Sequence, residues 1–228
     1  MNKFPHLYAQ KTTQGSAFYF ANVRIFAHLF ANLLKYFIYL RQETDCIMKI
    51  GVFCSASDNL EPVYYNETER LGEWIGRNGH SIVYGGTAQG LMECLAKSVK
   101  NAGGCVIGIL PQMMYDNGLA SRTADQLIIT ADMVERKNRM METADVFVAL
   151  PGGFGTWDEI FHVVACGQIG CHLKRVILFN QNGFYDHLIA QMEQAFAERF
   201  TPNIYRKKIT PVNDVFECFY ELEKELDV

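Results

Sequence analysis

From Met48 onward the sequence predicts an α/β fold, in which a parallel sheet is covered by helices on both faces. Short apolar runs alternate along the chain with longer segments whose apolar residues recur at helical spacing. The apolar runs are continuous and do not alternate with polar residues, as expected for strands buried on both faces. Gly-rich or polar stretches follow several of these strands, at the sheet edge where such proteins bind ligands. We therefore expect a single Rossmann-like domain over residues 48–228.

The individual elements follow from these patterns and from their terminating Gly and Pro residues. Predicted strands cover residues 49–54, 81–84, 105–110, 126–130, 146–150 and 176–179. Predicted helices cover residues 61–78, 91–101, 133–143, 184–200 and 214–226, with a further helix around Trp157, Ile160, Phe161 and Val164. The order is that of repeated strand–helix units.

The first 47 residues have a different character. Arg24, His28 and Lys35 recur at near-helical intervals within an otherwise apolar stretch. This pattern is typical of a basic amphipathic helix, because a membrane span would place a charge near the bilayer centre. Three interpretations stay open: a membrane-surface helix over residues 17–40, a helix that docks on the domain or on a partner, and a leader upstream of a true start at Met48. The sequence does not favour membrane contact.

Charge and cysteine content narrow the class of protein further. The net charge of -4 comes from acids and bases mixed along the chain, which argues against nucleic acid as the main partner. Seven cysteines without a CxxC pair indicate free thiols and a reducing compartment, and we expect a cytoplasmic protein. One cluster has metal-ligating residue types, but it lacks the paired spacing of zinc sites and predicts no metal; it comprises His162, Cys166, Cys171 and His172.

Three strand ends carry unusual motifs: CSASDN, YGGTAQGLM and LPGGFGTWDE. Three glycines in the second motif are more than a tight turn needs, and glycines let backbone amides approach a phosphate at a helix start. Leu91 and Met92 stand where a P-loop needs Lys and Ser or Thr, and CSASDN has no dinucleotide-binding glycines. Ser55 and Ser57 could contact phosphate or cap a helix. The motifs predict a phosphate-bearing ligand of another kind.

Two carboxylates follow the third motif, where they would repel a phosphate. Thr156 and Glu159 have the spacing of a capping box, in which Glu159 would only bond to the helix start. Alternatively, Glu159 serves a ligand, and Asp158 complements the helix dipole. Upstream, the helix with Arg136, Lys137 and Arg139 is either a solvated basic face or brings an arginine to the same edge, to bind phosphate or balance Glu159.

These motifs resemble the Lonely Guy family, the cytokinin riboside 5'-monophosphate phosphoribohydrolases. The resemblance rests on PGGxGTxxE at residues 151–159, ERK at 135–137, the GG...GLM loop at 85–92 and the first strand leading into CSAS. It extends over about four-fifths of the chain in the family's order and spacing. CSASD replaces the more usual CGSS, which leaves the roles of Ser55 and Ser57 open, and Asp158 stands where many members carry Glu.

The resemblance implies hydrolysis of the N-glycosidic bond of a nucleoside 5'-monophosphate, either AMP or an N6-substituted AMP, without a cofactor or a metal. It implies Arg136 and Glu159 as the catalytic pair and a homodimer as the assembly. A substrate-binding role is implied for Ser55, Gly86, Gly90, Met92, Lys137, Gly152, Gly153, Gly155 and Thr156. The alternative is a protein that binds a nucleotide or cofactor without hydrolysing it, such as the related molybdenum-cofactor carriers.

Overall fold

The structure is a computed structural model that describes residues 48–226. The amphipathic segment at residues 17–40 and its three interpretations lie outside the described residues, and the domain division after residue 47 stays a prediction. Within residues 48–226, no helix is both long enough and apolar enough to cross a bilayer.

The expected parallel sheet is confirmed. It contains seven strands in the order β4-β3-β2-β1-β5-β6-β7, and every neighbouring pair is parallel. The strands are β1 Lys49–Phe53, β2 Ser81–Tyr84, β3 Cys105–Pro111, β4 Gln126–Thr130, β5 Val146–Ala149, β6 Val176–Phe179 and β7 Ile209–Val212. Because β1 lies between β2 and β5, the loops after these three strands meet at one point of the carboxyl edge, where the strand order reverses.

Helices cover both faces, as predicted. They are α1 Pro62–Arg77, α2 Gly90–Asn101, α3 Gln112–Asp116, α4 Met133–Thr143, α5 Phe154–Gln168, α6 Asp186–Ala197 and α7 Val215–Glu223. Short 3₁₀ segments occupy Gln181–Gly183, Asn203–Lys208 and Lys224–Leu226.

Two apolar layers separate the sheet from these helices. On one face, Ile50 and Val52 of β1 pack in a cluster with Leu71 of α1, Leu95 of α2 and Cys218 of α7. On the other face, a cluster contains Phe53 and Phe147 from the sheet with side chains of α4, α5 and α6, namely Met140, Ile160, Val163, Leu188 and Met192. The continuous apolar character of the strands thus reflects burial from both sides.

Two elements were not predicted. Helix α3 spans only Gln112–Asp116, too few residues to show a helical period. Strand β7, Ile209–Val212, contains Pro211, which argues against a strand in the interior of a sheet. The structure places β7 at the edge, where a proline is tolerated.

Candidate active site

A buried ion pair joins α4 to α5 at the carboxyl edge of the sheet. Nη1 of Arg136 lies 2.7 Å from Oε1 of Glu159, and both side chains are more than nine-tenths buried. The helix with Arg136 is therefore not simply a solvated basic face, since this arginine points inward and balances Glu159. A buried charge pair of this kind is costly to desolvate and is often found at functional sites.

Arg136 is fixed in place from three directions. Asp132 caps α4 by accepting hydrogen bonds from the amides of Val134 and Glu135, each at 2.8 Å, which sets where the helix begins. The Nε atom of Arg136 donates to the carbonyl of Ile109 at 3.1 Å. At Gly85 a Cβ would lie 2.3 Å from Nη2 of Arg136, so glycine at this position makes room for the guanidinium. The guanidinium is thus preorganised before any ligand arrives.

Burial and neighbouring charge act in opposite directions on the pKa of Glu159. Burial raises the pKa of Glu159, and the nearby charge of Arg136 opposes that effect without cancelling it. The guanidinium of Arg136 is the charged partner of Oε1, at 2.7 Å. A carboxylate held in this way can still accept a hydrogen bond from a ligand hydroxyl, because each of its oxygens has more than one lone pair.

The capping-box interpretation of Glu159 is wrong. Helix α5 begins at Phe154 with Gly153 as its N-cap, so Thr156 lies inside the first turn and does not cap it. Glu159 then falls in the second turn and faces Arg136. A reciprocal arrangement related to the capping box occurs on α4, where Asp132 caps the helix and Glu135 Oε2 accepts from the amide of Ala131, the residue before the cap, at 2.8 Å.

The turn LPGGFGT, residues 150–156, presents an open helix start. At Gly153 and Gly155, apart from the adjoining residues and the backbone of α5 itself, no atom of residues 48–226 lies within 4 Å of the position that a Cβ would take. Both glycines are exposed, and the amides of a first helical turn have no acceptor within the helix. Gly152 differs, because a Cβ there would lie 2.2 Å from Oγ1 of the buried Thr156. This turn has the geometry of an anion cradle.

The turn YGGTAQG, residues 84–90, is filled by the protein itself. The amide of Gly90 donates to Oδ1 of Asp58 at 2.8 Å, and the amide of Leu91 donates to the carbonyl of Ser55 at 3.0 Å. Gly90 has φ +55°, and a Cβ there would lie 2.5 Å from the carbonyl oxygen of Ser57. Three glycines therefore do not require a ligand here, since packing and backbone conformation account for them: Gly85 admits Arg136, and Gly86 has φ +73°.

Met92 and the serines of CSASDN lie around this first turn. Met92 is buried, its Sδ accepts a hydrogen bond from Oγ1 of Thr87 at 3.0 Å, and it borders the space at Gly85 beside Arg136. Ser55 Oγ accepts from the amide of Ser57 at 3.1 Å, which forms a local turn. The structure thus accounts for Ser55 through its own loop.

The two other basic residues of α4 make surface pairs. Nζ of Lys137 lies 2.9 Å from both carboxylate oxygens of Asp158, so Asp158 pairs with a side chain in addition to standing near the helix start. Arg139 is half-exposed and approaches Glu142 at 3.4 Å and Glu135 at 3.8 Å. Only Arg136 of this basic run enters the site.

Tyr185 supports the site and was missed in the sequence. Its hydroxyl is buried and donates to the carbonyl of Leu150 at 2.7 Å, directly before the PGG turn. The amide of Tyr185 donates to Oδ1 of Asn180 at 2.7 Å. No local motif marks this role, because the contact joins residues 35 positions apart.

The residues of the metal-like cluster, His162, Cys166, Cys171 and His172, do not come together as a set of metal ligands. Cys166 Sγ lies 4.0 Å from His162 Nε2, and among residues 48–226 no three His, Cys, Asp or Glu side chains are grouped so as to hold a metal ion.

The fold and this site define an α/β domain with an open, glycine-rich helix start beside a buried Arg–Glu pair. A family profile described as "Possible lysine decarboxylase" matches residues 92–222. The "Probable cytokinin riboside 5'-monophosphate phosphoribohydrolase LOGL9" of Oryza sativa subsp. japonica is 35% identical over 79% of this chain and 79% of its own length. The "Cytokinin riboside 5'-monophosphate phosphoribohydrolase LOG7" of Arabidopsis thaliana is 33% identical over 77% of this chain and 81% of its own length.

Solved structures agree on the fold. The molybdenum cofactor binding protein of Rippkaea orientalis is 26% identical, with a TM-score of 0.60 over 79% of this chain and 98% of that protein. Taken with the plant relatives and the family profile, these matches settle the expected resemblance: the chain belongs to the Lonely Guy family of cytokinin riboside 5'-monophosphate phosphoribohydrolases.

Proposed function

We propose that the protein is an N-glycosyl hydrolase that cleaves a purine nucleoside 5'-monophosphate into a free base and ribose 5-phosphate. The substrate is AMP or an N6-substituted cytokinin riboside monophosphate. The observation that carries the proposal is the buried pair of Arg136 and Glu159 next to the open start of α5. The names of the plant relatives support the same reaction.

A nucleoside monophosphate suits this arrangement because it has two chemically different ends. Its phosphate would lie on the amides of the α5 start, held by Gly152, Gly153, Gly155 and Thr156. Its ribose would then be within reach of Glu159, one turn further along the helix. This placement explains why an anion cradle and a carboxylate lie side by side.

Cleavage of an N-glycosidic bond passes through a state in which the ribose carries positive charge, by analogy with O-glycoside hydrolysis. The carboxylate of Glu159 would stabilise that charge, hold a ribose hydroxyl or orient the attacking water. Its pKa, raised by burial, also lets it accept the proton of that water more readily than an exposed carboxylate would.

We propose that Arg136 acts mainly on Glu159. Its Nε is bound to the carbonyl of Ile109, its Nη1 lies beside Glu159, and its Nη2 is packed over Gly85. These contacts support a role in holding the carboxylate more than direct capture of the phosphate. Lys137, held by Asp158, would reach the substrate only by leaving that pair.

Four further residues complete the proposed nucleotide pocket. Gly86, Gly90 and Met92 would form its wall after β2. Ser55 would support that wall, since its carbonyl accepts a hydrogen bond from the amide of Leu91 in α2. No cofactor enters the proposed reaction.

Substitution of Glu159 with Gln tests the proposal. We expect release of ribose 5-phosphate to fall about a thousandfold, because general acid–base or electrostatic groups contribute on that order. The matched control is Glu142→Gln, which neutralises an exposed carboxylate that pairs with Arg139 on α4 and should leave the rate within about threefold. Circular dichroism confirms that both variants are folded, and full activity of Glu159→Gln would remove this residue from the mechanism.

A carrier function without hydrolysis is the second candidate, and the match to the molybdenum cofactor binding protein favours it. The two functions differ in their products. If calorimetry shows nucleotide binding while product analysis shows no base release over hours, the carrier function is correct and the hydrolase proposal fails. If base is released, a panel of AMP, other monophosphates and isopentenyl-AMP, compared by kcat/KM, identifies the preferred base.

We also propose a homodimer built on the outer face of α5. Phe154, Trp157 and Phe161 recur on this helix and are all exposed, directly beside the proposed phosphate site. Adjacent exposed aromatic side chains are typical of protein interfaces. Light scattering should give twice the mass of the chain, and Phe161→Glu should give a monomer; a monomeric parent protein would contradict the proposal.

We place the protein in the cytoplasm. Cys54, Cys94, Cys166, Cys171 and Cys218 are free thiols, which supports a reducing compartment. Fractionation of cells that express the full chain tests this, and recovery with a secreted fraction would contradict it.

A further inference from the structure

The end of α5 that is remote from Glu159 has a defined C-terminal cap. Gly170 follows the helix with φ +86°. The amide of Cys171 donates to the carbonyl of Cys166 at 3.0 Å, and the amide of Gly170 donates to that of Gly167 at 3.4 Å. These two hydrogen bonds and the left-handed glycine define a Schellman motif. The motif fixes the backbone on both sides of the helix end.

In a Schellman motif, the side chains of the two residues joined by the outer hydrogen bond, which spans five positions along the chain, often make an apolar contact. Here both are cysteines, Cys166 and Cys171, and the 3.0 Å backbone hydrogen bond between them holds the two residues together at the end of the helix. Cys166 is half-buried, while Cys171 is exposed. His162 lies one turn before Cys166, with Nε2 4.0 Å from Sγ. A pair of thiols, one accessible and one beside an imidazole, is an arrangement suited to thiol–disulfide exchange.

We propose that Cys166 and Cys171 are a site of reversible oxidation, forming an intramolecular disulfide across the cap of α5 with a small-molecule disulfide such as oxidised glutathione as the oxidant. The proposal is independent of the hydrolase activity. It assigns a modification site to the residues that resembled a metal cluster.

The exchange proceeds in two steps that balance. The thiolate of Cys171 attacks one sulfur of the oxidant, forms a mixed disulfide and releases the first thiolate, which takes up the proton lost by Cys171. Cys166 then gives its proton to His162 and attacks the sulfur of Cys171. The mixed bond breaks, and the second leaving thiolate takes that proton. Two protein thiols lose two electrons in total, and one disulfide oxidant is reduced to two thiols.

The surroundings support this order of attack. Cys171 is exposed, so an oxidant in solution meets it first. Cys166 is half-buried, and burial and then the neighbouring Cys171 raise its pKa. Burial, and then the charge of Lys137, lower the pKa of His162, which leaves a neutral imidazole able to accept a proton. By contrast, Cys54 and Cys218 are fully buried, and burial raises the pKa of Cys218 to about 12.

Peptide mapping of the full chain tests the proposal directly. Cleavage after Lys and Arg yields one peptide, residues 140–174, that contains Cys166 and Cys171 and none of the other five cysteines. After equilibration with oxidised glutathione and alkylation of free thiols, we expect this peptide to be two hydrogens lighter and unalkylated. Reduction with dithiothreitol should restore two alkylation sites.

Single substitutions distinguish the two steps of the thiol–disulfide exchange. Cys166→Ser should retain a stable glutathione adduct on Cys171, and Cys171→Ser should leave Cys166 mostly unmodified. His162→Gln should slow loss of the adduct about tenfold or more, since it removes the proton acceptor, while the final extent of oxidation stays the same. Cys94→Ser, which removes a half-buried thiol on another helix, is the matched control and should behave as the parent protein.

The proposal is overturned if residues 140–174 of the parent protein remain doubly alkylated at every ratio of oxidised to reduced glutathione. A persistent adduct on Cys171 in the presence of Cys166 overturns it as well, because the second thiol would then not reach the first. Neither outcome bears on nucleotide hydrolysis.

Discussion

Two Gly-rich turns lie at the same edge of the sheet, and they use their glycines differently. In the first turn, after β2, the positions of Gly85 and Gly90 are crowded by Arg136 and by the backbone of Ser57. In the second turn, after β5, the space beyond Gly153 and Gly155 is open as far as the described residues extend. Glycine density alone therefore does not identify an anion site.

The amides at the two helix starts differ in the same way. Those of α2 donate to Asp58 and to the carbonyl of Ser55, whereas the start of α5 faces solvent. A helix start that already has acceptors from its own protein has little left for a ligand. The first turn thus forms a wall of the proposed site and makes room for the guanidinium of Arg136, whereas the second turn is free to bind the proposed phosphate.

Among changes to the two turns, the largest loss of folding stability is expected for Gly90→Ala. The new Cβ would meet the carbonyl oxygen of Ser57 at 2.5 Å in a left-handed backbone conformation, so both strain and overpacking oppose it. We expect the free energy of unfolding to fall by about 3 kcal/mol, measured by urea denaturation. A change below about 1 kcal/mol would show that the first turn is not packed as described.

A smaller effect is expected for Tyr185→Phe, which tests the support of the second turn. Removing the hydroxyl leaves the buried carbonyl of Leu150 without its donor and should cost about 1–3 kcal/mol of stability. Because this carbonyl directly precedes the PGG turn, KM should rise together with the loss of stability. The control is Tyr205→Phe, whose hydroxyl contacts the carbonyl of Gln168 near the other end of α5 and should change stability without changing KM.

The smallest effect on folding is expected for Gly155→Ala. The position is helical and open, so the free energy of unfolding should stay equal or rise by up to about 1 kcal/mol. The added methyl group would enter the proposed phosphate space, and KM should rise about tenfold, equivalent to about 1.4 kcal/mol. Steady-state kinetics and urea denaturation of one preparation check both. An unchanged KM would place the phosphate elsewhere.

Most of the fold could be predicted because its strands are short, apolar and separated by clear helix signals. The bounds of β2, β4, β6 and α4 agree with the sequence pattern to the residue. Strand β7 could not be recognised, since Pro211 is compatible only with an edge position that the local pattern does not reveal.

The site was only partly predictable, for a related reason. Arg136 and Glu159 could be nominated from their motifs, but Thr156 and Glu159 also had the spacing of a cap. Whether Thr156 caps the helix depends on where α5 begins, and the structure shows that Gly153 of the PGG turn is the N-cap. The contacts with Ile109 and Gly85 depend on strands brought together by the sheet order, as does the support from Tyr185. Sequence spacing carries no information about such distant partners.

Pro211 also affects how the protein behaves at high concentration. An edge strand with a full set of backbone donors can pair with the edge of another molecule and begin an intermolecular sheet. In β7 one of those donors is missing, because proline has no N–H, and the strand spans only Ile209–Val212. The residue that concealed this strand in the sequence therefore also protects that edge of the sheet from aggregation.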